Sequence, residues 1–111
     1  MAYDERLAAR IRVLLTGEPG IVEKKMFGGL AFMVNGNMAV TASGRGGLMA
    51  RVDPSQSDDL TADGQARLVE MRGRVMHGWL RVDSERLETA DQLARWVERS
   101  VAFARSLPAK L

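Results

Sequence analysis

The chain of 111 residues contains no cysteine and a single histidine, His77. Without thiols there is no disulfide framework and no thiolate chemistry, and a structural zinc site would depend on carboxylates alone, which is unusual. No apolar run is long enough to cross a bilayer. Aromatic residues make up only 5% of the chain, which leaves few platforms for stacking nucleic-acid bases.

The N-terminal residues lack the features of an export signal. Asp4 and Glu5 place acidic charge where a signal peptide carries basic charge, and no apolar segment of signal type follows them. Together with the absence of cysteine, this predicts a cytoplasmic protein that does not contact a membrane.

No motif combines the residue types that a catalytic site needs. No serine lies in a Gly-x-Ser-x-Gly turn. The loop Gly44-Arg45-Gly46-Gly47 lacks the lysine of a phosphate-binding loop and joins two predicted strands rather than a strand and a helix. Asp58 and Asp59 fit a solvated helix face better than an acid/base pair. We therefore expect no enzymatic activity, no metal and no cofactor.

Three segments carry the signals of helices. The first runs from Asp4 to Thr16, and a second, short helix begins at Asp53-Pro54-Ser55-Gln56, where Asp53 can cap and Pro54 fits the first helical position. Thr89 and Gln92 form a capping box that opens a long helix, which Pro108 ends. Helical spacing predicts one apolar face on each of the two longer helices. On the first helix this face consists of Leu7, Ile11, Leu14 and Leu15. On the last it consists of Leu93, Trp96, Val97, Val101, Ala104 and Leu107, with Phe103 beside them.

Short apolar segments separated by turn residues predict the strands. Asn35-Gly36 is typical of a two-residue type I′ hairpin, which joins strands at 30–34 and 38–42. Gly28-Gly29 predicts a bulge or bend. The other strands are expected at 21–26, 48–52, 66–71 and 78–82; the first of them alternates Val22, Lys24 and Met26 with Glu23, Lys25 and Phe27, as an outer strand does.

The resulting order, α-β-β-β-β-α-β-β-α, predicts an α+β fold in one domain, residues 1–111. We expect an antiparallel sheet of five to six strands, with helices near both termini and one short middle helix. The segment 30–34 is apolar at every position, so both faces of the sheet need cover, and a second copy of the chain, in a homodimer, would supply it. Core positions are predicted for Trp79, Trp96 and the strand methionines Met26, Met33, Met38, Met49, Met71 and Met76.

Basic residues in the strands form the candidate interaction surface. The net charge is only +2, so the global field is weak. If the last two strands are neighbours, their basic residues form one patch for phosphates or for an acidic partner. Direct nucleic-acid binding is therefore an alternative to protein binding, and a small-molecule pocket lined by His77 or Arg74 is a third. The candidate residues are Lys24, Lys25, Arg72, Arg74, His77 and Arg81.

Three blocks occur in order along nearly the whole chain. The first is Met26-Phe27-Gly28-Gly29-Leu30-Ala31-Phe32-Met33-Val34-Asn35-Gly36-Asn37-Met38, the second is Gly73-Arg74-Val75-Met76-His77-Gly78-Trp79, and the third consists of Trp96-Val97 and Ser106-Leu107-Pro108. Together they resemble the N-terminal domain of the TfoX/Sxy competence regulators. The chain departs from that pattern at Val75, where the family usually has proline, and at His77, in place of a variable basic residue.

The resemblance implies a small α+β fold with an antiparallel sheet. Full-length competence regulators pair this domain with a helical C-terminal domain and act as transcriptional coactivators for DNA-uptake genes. We expect a stand-alone member without the C-terminal domain, working as a non-enzymatic regulatory or protein-interaction module. Its expected partners are a protein, such as the transcription machinery or a regulator, and a second copy of itself. The family brings no catalytic residues.

Overall fold

Three α-helices and six β-strands follow one another in the predicted order in the computed structural model, which describes residues 3–26 and 28–110. Phe27, predicted to continue the alternation of the first strand, lies outside these residues. The elements are α1 (Glu5–Leu14), β1 (Ile21–Met26), β2 (Gly29–Val34), β3 (Asn37–Ala42), β4 (Leu48–Arg51), α2 (Ser57–Thr61), β5 (Arg67–Met71), β6 (Arg74–Val82) and α3 (Ala90–Ser106), with short 3₁₀ turns at Pro54–Gln56 and Ser84–Arg86.

The strands form one sheet in the order β1-β2-β3-β4-β6-β5, and every neighbouring pair is antiparallel. The predicted hairpin is confirmed, because Asn35 and Gly36 have φ values of 51° and 85° and Val34 pairs with Asn37. Gly28 lies in the turn between β1 and β2. The bulges lie elsewhere, between Phe32 and Met33 in β2–β3 and between Leu68 and Val69 in β5–β6.

The helices cover one face of this sheet. Phe32, Leu48 and Leu80 point from the strands into the main core, where they meet Ile11 of α1 and Leu93 of α3. The predicted helix faces are largely correct. Two predicted members of these faces are not buried in the core: Leu14 is 37% exposed and Leu107 is only half-buried. Ser100, which was not predicted as a core residue, is buried on α3 although polar.

The opposite face of the sheet carries a second apolar cluster built from strand residues. Ala31, Met38, Met49 and Val69 are its buried members, and Trp79 packs against them while half-buried. Trp79 therefore belongs to this cluster and not to the main core, whereas Trp96 is buried in the main core as predicted. No described residue of a helix is a member of this second cluster.

Hydrogen bonds mark the residue at which the long helix begins and hold the segment that follows it. The capping box of α3 is confirmed: Thr89 Oγ1 accepts from the Gln92 amide at 3.1 Å, and Gln92 Oε1 accepts from the Thr89 amide at 3.0 Å. Beyond α3, the Lys110 amide donates to Asn35 O at 2.8 Å, and Asn37 Nδ2 donates to Pro108 O at 3.0 Å. These bonds attach the C-terminal segment to the β2–β3 turn.

No helix within residues 3–26 and 28–110 has the length and hydropathy to span a bilayer.

Candidate binding surface

The sheet face that the helices leave uncovered is lined mainly by thioether side chains, and we call it the methionine face. Met33 of β2 pairs with Met38 of β3, and Thr41 Oγ1 lies 3.1 Å from Met38 Sδ. Unbranched thioethers fill irregular gaps and adapt to different partners. The face comprises Ala31, Val69, Trp79 and the six methionines that follow the initiator, Met26, Met33, Met38, Met49, Met71 and Met76.

Two of the methionines lie on this face only because of β-bulges. In strands with regular alternation, both would point into the main core. Val40 and Leu80 point into the main core, so Met38 and Met76, each an even number of residues away, would point there too in regular strands. The β2–β3 bulge pairs Met33 with Met38, and the β5–β6 bulge pairs Val69 with Met76. Each bulge reverses the alternation, and both methionines join the methionine face.

Basic side chains surround the methionine face. Register places Lys24 opposite Ala31, Arg67 opposite Arg81, and Arg74 opposite Met71 on this side of the sheet. Arg51 lies two residues after Met49 on β4 and therefore on the same side of the sheet. Its guanidinium carbon lies 5.0 Å from the centroid of the Trp79 ring and 5.7 Å from the centroid of the Phe103 ring on α3. Among the described strand residues, no acidic side chain occupies a position on this face.

The structure divides the predicted interaction residues into separate groups. β1 and β5 are the two opposite edges of the sheet. Lys24 and Lys25 lie on β1, whereas Arg72 and Arg74 lie near the opposite edge, in the β5–β6 turn and at the start of β6. Lys25 pairs with Leu30 and therefore lies on the helix-covered side, unlike Lys24. Arg72, with a φ of 52°, lies in the β5–β6 turn next to Arg74.

The two remaining predicted residues lie farther along β6. His77 is exposed in the bulged part of the strand, beside the buried Gly78. Arg81 lies near the other end of β6, seven residues from Arg74. The predicted residues thus do not form one continuous patch.

Arg81 instead belongs to a different group of arginines, which we call the arginine cluster: Arg45, Arg67 and Arg81. Arg67 is the direct cross-strand neighbour of Arg81, and Arg81 Nη1 donates to Ser43 Oγ at 3.1 Å. The same hydroxyl oxygen accepts from the Arg45 amide at 3.2 Å. Like charges directly opposite one another on paired strands are unfavourable, and the carboxylate that compensates here is Asp83, whose Oδ1 lies 2.6 Å from Arg67 Nη2.

The environment of Arg81 is poor in negative charge. Burial lowers the pKa of Arg81, and repulsion from Arg45 and Arg67 lowers it further, while Asp83 acts in the opposite direction. An arginine nevertheless stays protonated at neutral pH. The cluster therefore holds a partly desolvated cation that an added carboxylate or phosphate oxygen would stabilise.

Sequence reasoning missed Arg45 and Arg67 as members of this group. Arg45 lies in a glycine-rich hairpin loop, and Arg67 becomes a neighbour of Arg81 only through the register of β5 with β6. That register includes a bulge at residues 77–79, where Gly78 has a φ of 87°. A glycine inside a strand is a signal of a bulge, but it does not show how many residues the bulge inserts. Within the described ranges, no group of three or more histidine, cysteine or acidic side chains is placed to hold a metal ion.

Comparison with known proteins connects this geometry to a family. The profile of the TfoX N-terminal domain matches residues 14–104. The matched range runs from the end of α1 to near the end of α3 and includes all the strands that form the methionine face. No curated protein matches the chain.

Proposed function

Because the chain belongs to the TfoX N-terminal domain family, we propose that it is a non-enzymatic regulatory module that binds a protein partner through the methionine face. The observation that supports this most directly is a sheet face that is apolar at its centre and carries basic side chains but no acidic ones among its described strand residues. The partner we propose is an acidic segment that also presents apolar side chains, carried by the transcription machinery or by a regulator.

The apolar part of the face suits contact with such a segment. Met33, Met71 and Met76 are only half-buried, so their flexible thioethers remain accessible beside the fully packed Met38 and Met49. Burial of apolar area contributes about 25 cal/mol per Å². Methionine-rich surfaces also adapt their shape to the partner at low energetic cost.

The charges around the face select the partner. Lys24 lies on β1 at one edge of the sheet, and Arg74 and Arg81 lie near the two ends of β6. An acidic segment that crosses the face therefore meets favourable potential at several points. Two copies of the methionine face, placed against each other, would instead bring like charges together. Electrostatic complementarity of this kind governs specificity and association rate, and it favours an acidic partner over a second copy at this surface.

The test uses a synthetic amphipathic helix with glutamates on one side and leucines on the other, and measures binding by fluorescence anisotropy. Met33→Gln removes apolar contact without adding charge. We expect it to weaken binding by about tenfold, which corresponds to the loss of an apolar contact of about 1.4 kcal/mol. Val75→Gln is the matched control, because Val75 is 49% exposed and lies on the other side of β6. Equal affinity of the two variants, with both folded by circular dichroism, would show that the peptide binds elsewhere.

The arginine cluster favours a second candidate function, direct binding of nucleic acid. Phosphate oxygens would add negative charge to a cluster of three arginines in which Asp83 forms an ion pair with Arg67. A titration of duplex DNA between about 50 mM and about 200 mM salt decides this, because log K falls with log salt by about 0.9 for each phosphate neutralised. Arg81→Gln should reduce that slope by about one phosphate, while negligible binding at the lowest salt concentration would exclude this function.

A further inference from the structure

Two apolar side chains near the end of α1 are exposed to solvent on the helical layer, on the other side of the molecule from the methionine face. Val13 is 73% exposed and Leu14 37% exposed. Leu14 lies between two shallow depressions. One is lined by Arg10, Val13, Ala90 and Leu93, and the other by the apolar residues Leu15, Val97, Val101 and Ala102 together with Glu18, Glu98 and Arg105.

We propose that this surface joins two copies of the chain into a two-fold symmetric dimer, with Leu14 close to the axis. We call it the α1–α3 surface, defined by Arg10, Val13, Leu14, Glu18 and Glu98. A two-fold interface uses the same patch on both copies, so the patch must be complementary to itself. Here it contains both the protruding side chains, Val13 and Leu14, and the depressions that would receive them.

The charges of the α1–α3 surface are also complementary to themselves. Arg10 lines the depression on one side of Leu14. Glu18, Glu98 and Arg105 line the depression on the other side, whose net charge is therefore negative. A two-fold axis at Leu14 brings Arg10 of one copy toward the acidic end of the other. Glu18 has only a long contact of 3.6 Å with Arg105, and Glu98 has no ion pair among the described residues. Both carboxylates can therefore accept a new cation.

The charges of the α1–α3 surface favour a second copy of the chain as its binding partner. The methionine face carries basic charge alone on its described strand positions, which suits a different, acidic molecule. The α1–α3 surface carries Arg10 at one end and a net negative charge at the other, where two glutamates outnumber Arg105, and this arrangement suits antiparallel self-association. The two surfaces lie on opposite sides of the sheet, so a dimer formed through the helices leaves both methionine faces open.

The first experiment is sedimentation equilibrium of the full chain up to high micromolar concentration. We expect the wild type to dimerise and Val13→Glu to raise the dissociation constant by about tenfold or more, because each copy would place a charge in an apolar contact. Val22→Glu is the matched control, since Val22 is 60% exposed but lies on β1. A monomeric wild type, or a dimer weakened by Val22→Glu and not by Val13→Glu, would overturn the proposal.

A second experiment uses charge reversal to separate the interface from any effect on folding. Arg10→Glu and Glu98→Arg should each weaken self-association, and a mixture of the two variants should form heterodimers in which the reversed charges meet again. A mixture that stays as monomeric as its components overturns the proposed geometry. Binding of the acidic peptide by Val13→Glu should equal that of the wild type, so failure of the dimer and failure of the proposed function give different results.

Discussion

At the scale of single residues, the least satisfied polar atom among the described side chains is the hydroxyl of Ser100. It is fully buried on α3, and no hydrogen-bond partner lies within reach of its Oγ. A buried polar atom without a partner loses its hydration and gains nothing in return. Ser100 lies seven residues after Leu93 and therefore on the buried face of α3. Hydropathy alone does not predict a core position for a serine.

Ser100→Ala should therefore stabilise the protein. Removal of the unpaired hydroxyl and the higher helix propensity of alanine both act in this direction, and we expect a gain of about 1 kcal/mol in the free energy of unfolding. Urea denaturation measures it, with Ser106→Ala as the control, because Ser106 is exposed and its hydroxyl donates to Phe103 O. A loss of stability in Ser100→Ala would reveal a hydrogen bond that the geometry does not show.

A second residue-scale prediction concerns the ion pair between α1 and β1. Arg12 donates to both carboxylate oxygens of Glu23, at 2.6 and 2.8 Å, and this hydrogen bonding lowers the pKa of Glu23. Because the folded pKa is lower than the unfolded one, the stabilisation is present above the unfolded pKa of about 4.3 and is lost as the pH falls through the folded value.

Glu23→Gln should remove this pH-dependent contribution. The pair is exposed, with 48% and 36% of its side chains accessible, so we expect the melting temperature at neutral pH to fall by about two degrees or less. The difference between variant and wild type should shrink as the pH is lowered toward 3 (about one unit below the unfolded value). A difference that grows on acidification would have the wrong sign for this pair.

At the scale of elements, the parts of the fold that were predictable are those with a local chemical cause. Thr89 and Gln92 mark the start of α3, and Asn35-Gly36 marks the β2–β3 hairpin, because a cap and a positive-φ turn each require particular residues. The β2–β3 bulge has no such signature, and Gly78, which lies in the β5–β6 bulge with a φ of 87°, does not show how many residues are inserted there. Consequently the side of the sheet on which Met38 and Met76 lie, and the pairing of Arg67 with Arg81, were not predictable from the sequence.

The β2–β3 hairpin also provides a prediction about how the chain end is held. Gly36 has a φ of 85°, and a Cβ there would collide with the Lys110 carbonyl. Gly36→Ala should therefore cost more than the roughly 1 kcal/mol that a positive φ alone imposes on alanine. Gly64→Ala is the matched control, with a φ of 78° and open space around the added carbon. Equal losses of stability for the two variants would mean that the C-terminal segment does not rest on the hairpin.

At the scale of the whole molecule, the sheet separates two surfaces of different character. The helical layer buries the larger core and exposes a small apolar patch with charges of both signs, while the other side presents thioethers bordered by basic residues. Sequence reasoning correctly found both the α+β architecture and an excess of apolar residues in the strands. It assigned the second copy of the chain to the sheet, whereas we propose the helical layer for that role and an acidic partner for the sheet, because the charges are distributed differently on the two surfaces.

The proposed binding mode is tested most directly by methyl NMR of the full chain labelled at its methionine and valine methyl groups, titrated with the acidic amphipathic peptide. The six methionines after the initiator all belong to the methionine face, so their methyl signals report on that surface. We predict that signals of Met33, Met71 and Met76 shift on titration while the methyl groups of Val13 and Val97 do not. Shifts confined to the helical layer, or methionine signals unchanged at saturating peptide, would contradict binding through this face.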